Sequence, residues 1–156
     1  MATEEELRDA TDIAYLDLSV GFENLINDGK NPPFTIKAIL DAMPPMEKTE
    51  NLPSYVLDWE IVDYRNDNEP HQSGFYGSVI DTGNGLIVSF RGSESITDIN
   101  HVKSDWVGAD LALLSTTLTK QQEQAGAFLK QIATSDYIDK YDNVAFTGHS
   151  LGGNLA

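Results

Sequence analysis

The sequence predicts a single mixed α/β domain in which antiparallel hairpin strands lead into a parallel portion with flanking helices. Three observations carry that expectation. The chain opens on helical spacing, its middle changes to a period of two, and its last third returns to a helix followed by a short apolar strand. No internal repeat and no linker-like stretch divides the 156 residues. A chain of that length hides roughly 68–70% of its unfolded surface on folding, enough for a real core. Residues 1–54 read as a helical N-terminal segment and 55–156 as the sheet core.

Thr3 followed by Glu6 is the pattern of a capping box, a hydroxyl cap with a carboxylate three residues on. Leu7, Ala10, Ala14 and Leu18 then repeat at helical spacing, with Gly21 as the expected stop. Ile36, Ile39, Leu40 and Met43 predict a second short helix, ended by Pro44-Pro45 because proline cannot continue the hydrogen-bond ladder. From Tyr55 the period becomes two: Tyr55, Leu57, Trp59 and Ile61 alternate and predict a strand. Asn66-Asp67-Asn68-Glu69-Pro70 predicts a turn, and Phe75 to Ile80 a second strand. Asp81-Thr82-Gly83-Asn84-Gly85 predicts a hairpin loop, since its glycines and Asn84 tolerate positive φ. Leu86-Ile87-Val88-Ser89-Phe90 is a nearly continuous apolar run, the pattern of a strand buried on both faces.

Thr119 with Gln122 forms a second capping box, and the helix it opens carries the apolar stripe Ala125, Phe128, Leu129 and Ile132. After the Tyr141-Asp142-Asn143 turn, Val144-Ala145-Phe146 predicts a short buried strand.

Composition removes whole classes of function. Ten basic against 25 acidic residues leave a net charge of −15. Binding to nucleic acid needs a cationic footprint against the phosphates, and docking to an anionic membrane needs a basic patch. The chain contains no cysteine, which excludes disulfides, thiolate metal sites and a cysteine nucleophile. No pair of histidines has ligand spacing, so neither a metal nor another cofactor is expected. Met1-Ala2-Thr3-Glu4-Glu5-Glu6 is not the start of a secretory signal and no run approaches a membrane span, so cytoplasmic residence is expected.

The chemistry is carried by Gly148-His149-Ser150-Leu151-Gly152-Gly153. This is G-x-S-x-G between an apolar strand and the helix-compatible Asn154-Leu155-Ala156, the context of a nucleophile elbow. The turn from strand to helix is so sharp that a side chain two residues either side of the serine would collide with neighbouring chain. Glycine at 148 and 152 removes that collision. The Ser150 hydroxyl then stands clear of the sheet, and the Leu151 N–H at a helix start can stabilise a developing oxyanion. A second segment, Phe90-Arg91-Gly92-Ser93-Glu94-Ser95, follows the earlier apolar strand, with Asp105-Trp106-Val107-Gly108-Ala109-Asp110-Leu111 soon after. A hydroxyl and N–H at the end of an adjacent buried strand is where a second oxyanion donor belongs, although Ser93 also reads as a loop serine capping a short helix.

The combination FRGS, then W-x-x-x-D-L, then GHSLGG resembles the class 3 lipases, a branch of the α/β-hydrolase fold. The GHSLGGNLA ending with the DW segment is similar to a bacterial lipase-like family. The resemblance spans roughly Gly74 to Ala156. It implies that Ser150 is the catalytic nucleophile, that Leu151 and Ser93 form the oxyanion hole, and that Gly148, His149 and Gly152 shape the elbow, His149 being structural. It also implies that residues 94–109, where Ile96, Ile99, Val102 and Trp106 recur near helical spacing, form a lid with interfacial lipid contact. An ordinary surface helix fits that spacing equally. The His-x-Gly-Phe pattern of many class 3 lipases is absent, which favours a generic ester hydrolase over a triglyceride lipase.

A serine hydrolase also needs a base and a carboxylate to orient it, in this fold in the order Ser, Asp or Glu, His. Neither type occurs after Ser150, and His71 and His101 read as solvated side chains. The chain is therefore expected to be the N-terminal part of a longer enzyme, inactive alone. Its open sheet edge beside Val144-Ala145-Phe146 is expected to self-associate or to take up a C-terminal fragment. Two other readings stand beside the ester hydrolase: a non-catalytic α/β module that keeps the elbow as scaffold for a partner, and an acyltransferase or thioesterase using the same machinery.

Overall fold

A computed structural model of the chain describes residues 2–16, 18–44, 52–67, 74–91 and 109–149, and of 109–119 and 149 the backbone alone. Its helices are α1 (Glu4–Ala14), α2 (Ser19–Asn27), α3 (Ile36–Asp41) and α4 (Ala109–Ala133). Its strands are β1 (Phe34–Thr35), β2 (Glu60–Asp67), β3 (Phe75–Asp81), β4 (Leu86–Arg91) and β5 (Val144–His149).

Helix α1 begins as its sequence requires. Thr3 Oγ1 accepts from the Glu6 N–H at 3.1 Å, and Glu6 Oε2 accepts from the Thr3 N–H at 2.7 Å. The other Glu6 oxygen accepts from Asn84 Nδ2 at 3.0 Å, which ties the helix start to the hairpin between β3 and β4. The backbone bond from Thr3, then the bond from Asn84, hold the Glu6 carboxyl below its ordinary pKa. A carboxylate depressed in the folded state contributes stability that is present above the ordinary carboxylate pKa and lost as pH falls through the folded one. Thermal unfolding at neutral and at acidic pH should therefore show a smaller acid loss in Glu6→Gln than in the parent chain.

The helix does not continue to Gly21, as the spacing of Leu18 suggested. It ends at Ala14, with Tyr15 as its C-cap, and Leu18 caps α2. Gly21 lies inside α2, where a Cβ would stand 2.3 Å from the Ile39 carbonyl oxygen and 2.7 Å from Ile39 Cγ2. Glycine is there because α2 and α3 approach closely, not because a helix stops. Gly21→Ala should destabilise the fold by about 1–3 kcal/mol. A denaturation midpoint equal to that of the parent would mean that the two helices can separate freely.

The five strands lie in sequence order, β1-β2-β3-β4-β5. Every neighbouring pair is antiparallel except β4 and β5, which are parallel. The β3–β4 hairpin turns where the sequence placed it. Gly83 and Gly85 take φ of 82° and 143°, and the Gly83 N–H donates to Asp81 Oδ1 at 2.7 Å. Parallel neighbours cannot be joined by a tight turn, and α4 lies in the crossover that returns the chain from β4 to β5.

The sheet is packed on both faces. Ile61, Ile80 and Ile87 meet Ala10, Ile13, Phe22, Ile36 and Ile39 from α1, α2 and α3. Phe75, Val79, Leu86, Val88 and Phe90 meet Ala125, Phe128 and Ile132 of α4. The Phe128 ring stands edge-on to Phe75 and Phe90, with centroids 6.2 and 6.4 Å away. Gly77 makes room for it, since a Cβ there would lie 2.7 Å from the ring. Leu86 to Phe90 are buried, as their apolar run predicted, and so is Arg91, which closes β4.

Five further expectations change. Tyr55, Leu57, Trp59 and Ile61 do not share a strand: Ser54–Asp58 is a 3₁₀ helix after Pro53, burying Val56 and exposing Tyr55, and β2 starts only at Glu60. Asn66 and Asp67 belong to β2 rather than to the turn, the rest of which (68–70) is outside the described residues. Thr119 does not open a helix, because α4 begins ten residues earlier. Val144-Ala145-Phe146 is not buried: it is part of a longer strand at the sheet edge among the described residues, with Val144 and Phe146 exposed. Helix α3 ends at Asp41, three residues before Pro44. Among the described residues no helix is long and apolar enough to cross a membrane.

Candidate functional site

Strand β5 delivers the Gly-His start of the motif to one end of the sheet. Leu86 pairs with Val144 at the beginning of the parallel ladder and Arg91 pairs with His149 at its end. Both strands therefore finish side by side, and neighbouring strands lie about 4.7–4.9 Å apart. Ligands of open α/β sheets bind outside such carboxyl ends. Gly148 is part-buried within β5. Ser150, Leu151 and Gly152 of the elbow, Ser93, and 94–108 of the expected lid lie outside the described residues, as do His71 and His101; of His149 the backbone alone is described. What the structure brings together is the residue before Ser150 and the residue two before Ser93, as register partners.

Helix α1 is fastened beneath these strands by hydroxyl groups. Ser89 Oγ donates to the Ala10 carbonyl at 2.9 Å, Thr147 Oγ1 lies 2.8 Å from Thr11 Oγ1, and Thr147 Oγ1 donates to the Leu7 carbonyl at 3.3 Å. A threonine three residues before the candidate nucleophile thus anchors the elbow strand from below. Its signal in the sequence is a lone hydroxyl in an otherwise apolar strand. The sequence alone gives no role to Arg91, which ends an otherwise apolar strand. Arg91 is only 9% exposed, and its guanidinium carbon stands 5.2 Å from the centroid of the Tyr76 ring. Tyr76 is its register partner on β3.

Among the described residues several carboxylates are met by neutral donors. Tyr55 donates to Asp9, Tyr64 to Glu23, Tyr137 to Asp63 and Tyr141 to Asp81. Gln131 adds a second donor to Asp63 at 2.9 Å. Ion pairs among the described residues join Arg8 to Glu5 and Asp9, and Lys37 to Asp41. The bond to Asp9 raises the Tyr55 pKa to about 12, and burial with the bond to Asp81 raises Tyr141 to about 12. Burial chiefly raises Tyr137 as well. Phenols held in this way donate hydrogen bonds and do not serve as bases near neutrality.

A groove of about 340 Å³ opens at the other end of the sheet, lined by Glu6, Tyr55, Asp58, Trp59, Glu60 and Asp81 among others. Asp81 pairs with Leu86 at the start of β4, so the groove and the Gly-His segment are separated by the length of the strands. Among the described residues no group of three or more Asp, Glu, His or Cys is disposed to hold a metal ion. Comparison with protein-family models, with curated proteins and with solved structures finds nothing that matches this chain.

Proposed function

We propose that the chain carries the nucleophile segment of a serine carboxylic-ester hydrolase, lipase- or esterase-like, on an α/β-hydrolase type of sheet. The observation that supports this most is one of register. The strand running into Gly148-His149-Ser150 pairs in parallel with the strand running toward Ser93, so the nucleophile and its second oxyanion donor issue from adjacent strand ends. In this reading Ser150 Oγ attacks the ester carbonyl carbon while a base takes its proton. The oxygen that becomes negative is met by the Leu151 N–H and by Ser93. Collapse of that intermediate expels the alcohol, which takes back the proton. Water then attacks the acyl-enzyme by the same route and releases the acid.

The direct test is labelling by a fluorophosphonate probe in the full-length polypeptide of the parent reading frame. Adduct mass on the peptide containing Ser150 is the expected result. No adduct, in a protein that binds a partner through the same sheet end, would favour the non-catalytic module. The oxyanion assignment has its own test. Ser93→Ala should lower turnover by roughly 10²–10³ with little change in KM, because the donor acts on charge present only in the transition state. Near-parental turnover would leave Ser93 as a loop residue.

A further inference from the structure

Burying a cation is costly unless its surroundings compensate. Among the residues whose side chains are described, Arg91 is the buried arginine or lysine. An apolar residue would suit its strand better, since Leu86 to Phe90 are otherwise apolar apart from Ser89. Its environment is specific. The guanidinium lies over the face of Tyr76, itself 1% exposed, at 5.2 Å from the centroid, within the range of a cation–π contact. Arginine suits this use because its planar group stacks on a ring and keeps its charge, whereas a lysine ammonium does neither as well. Position completes the argument. Arg91 is the last residue of β4, held by Tyr76 on one side of the ladder and paired with His149 on the other. Ser93 follows it by two residues and Ser150 follows His149 by one.

We infer that the Arg91–Tyr76 stack is a positioning device for the oxyanion donors: it fixes the end of β4 against β3, and with it the approach of the chain to Ser93 relative to the elbow. The inference rests on the ester-hydrolase reading and adds to it a pair of residues that touch no substrate. Misplacing a reacting geometry by about 1 Å can cost around 10² in rate. A donor displaced by that much acts less well only on the transition state, so the loss falls on kcat and leaves KM alone.

The experiment uses the full-length polypeptide with a short p-nitrophenyl ester. Arg91→Met keeps an unbranched stem and removes both charge and plane. It should lower kcat by about 10²-fold at unchanged KM. Arg91→Lys should recover only part of that loss, and Tyr76→Phe, which keeps the ring face, should stay near the parental kcat. Tyr76→Leu should also lower kcat, and the double variant should lose less than the product of the two single losses, because the shared stack can be lost only once. If Arg91→Met does not fold, by circular dichroism, the Lys, Phe and Leu variants carry the same comparison. Parental kcat in folded Arg91→Met, or multiplying losses in the double variant, overturns the inference while leaving Ser150 in place. Absence of labelling at Ser150 in the parent protein overturns the hydrolase reading and this inference with it.

Discussion

Ser150→Ala should abolish fluorophosphonate labelling and, on the proposed ester-hydrolase reading, lower ester turnover by about 10⁶-fold, the scale seen when a serine nucleophile is removed from an intact triad. What survives should exceed the uncatalysed reaction by about 10³–10⁴, because the oxyanion donors and the binding surface remain. Circular dichroism and the unfolding midpoint should be unchanged, since the substitution removes one oxygen. The comparison separates three readings. Loss of both labelling and turnover supports covalent catalysis. Persistent turnover removes Ser150 from the mechanism. Labelling of the parent without hydrolysis, but with transfer to an added alcohol or amine, points to an acyltransferase on the same machinery.

The largest effect on stability is expected at Phe128. It is fully buried, it meets Phe75 and Phe90 edge-on, and it occupies the space that Gly77 leaves open. Phe128→Ala should cost about 3–5 kcal/mol, from lost apolar burial together with the cavity left among rings that cannot all close in. Against a total of about 5–15 kcal/mol for an ordinary domain, that is enough to leave a substantial unfolded fraction at moderate urea. Urea denaturation followed by far-UV circular dichroism measures it directly. A loss below about 1 kcal/mol would show that α4 is not held on the sheet by this ring.

The parts of the fold that could be read in advance are those whose cause is local. The Thr3–Glu6 cap closes on itself within one turn, and the hairpin at Gly83 and Gly85 needs only backbone that glycine tolerates. The continuous apolar run of β4 likewise announced burial on both faces. What could not be read has its cause elsewhere in the chain. Gly21 is required by the Ile39 carbonyl, 18 positions away in sequence. Tyr55, Leu57 and Trp59 alternate like a strand, yet Val56 between them is the residue that reaches the core through a 3₁₀ turn. Thr119 resembles a cap, but the helix that begins at Ala109 passes through it. At the candidate site the sequence names a serine motif, of which Ser150 and Gly152 lie outside the described residues, and is silent about support. Thr147 and Arg91 gain meaning only when α1 and β3 are seen against them.

The order of the strands also sets an order of assembly. β2, β3 and β4 follow one another as antiparallel neighbours, and the β3–β4 turn is only a few residues long. β5 begins at Val144 whereas its partner β4 ends at Arg91, so this pairing must close a far longer loop. Closure entropy rises with that length, and pairings distant in sequence are formed late. The meander and α1 can therefore settle while the chain is still being synthesised, and the strand that carries Gly148 joins a surface already made. Among the described strands, the one leading into the serine motif is thus the last to pair, on a template, and a nascent chain holding only the first four lacks both α4, which covers one face of the sheet, and the strand that presents Gly148 and His149.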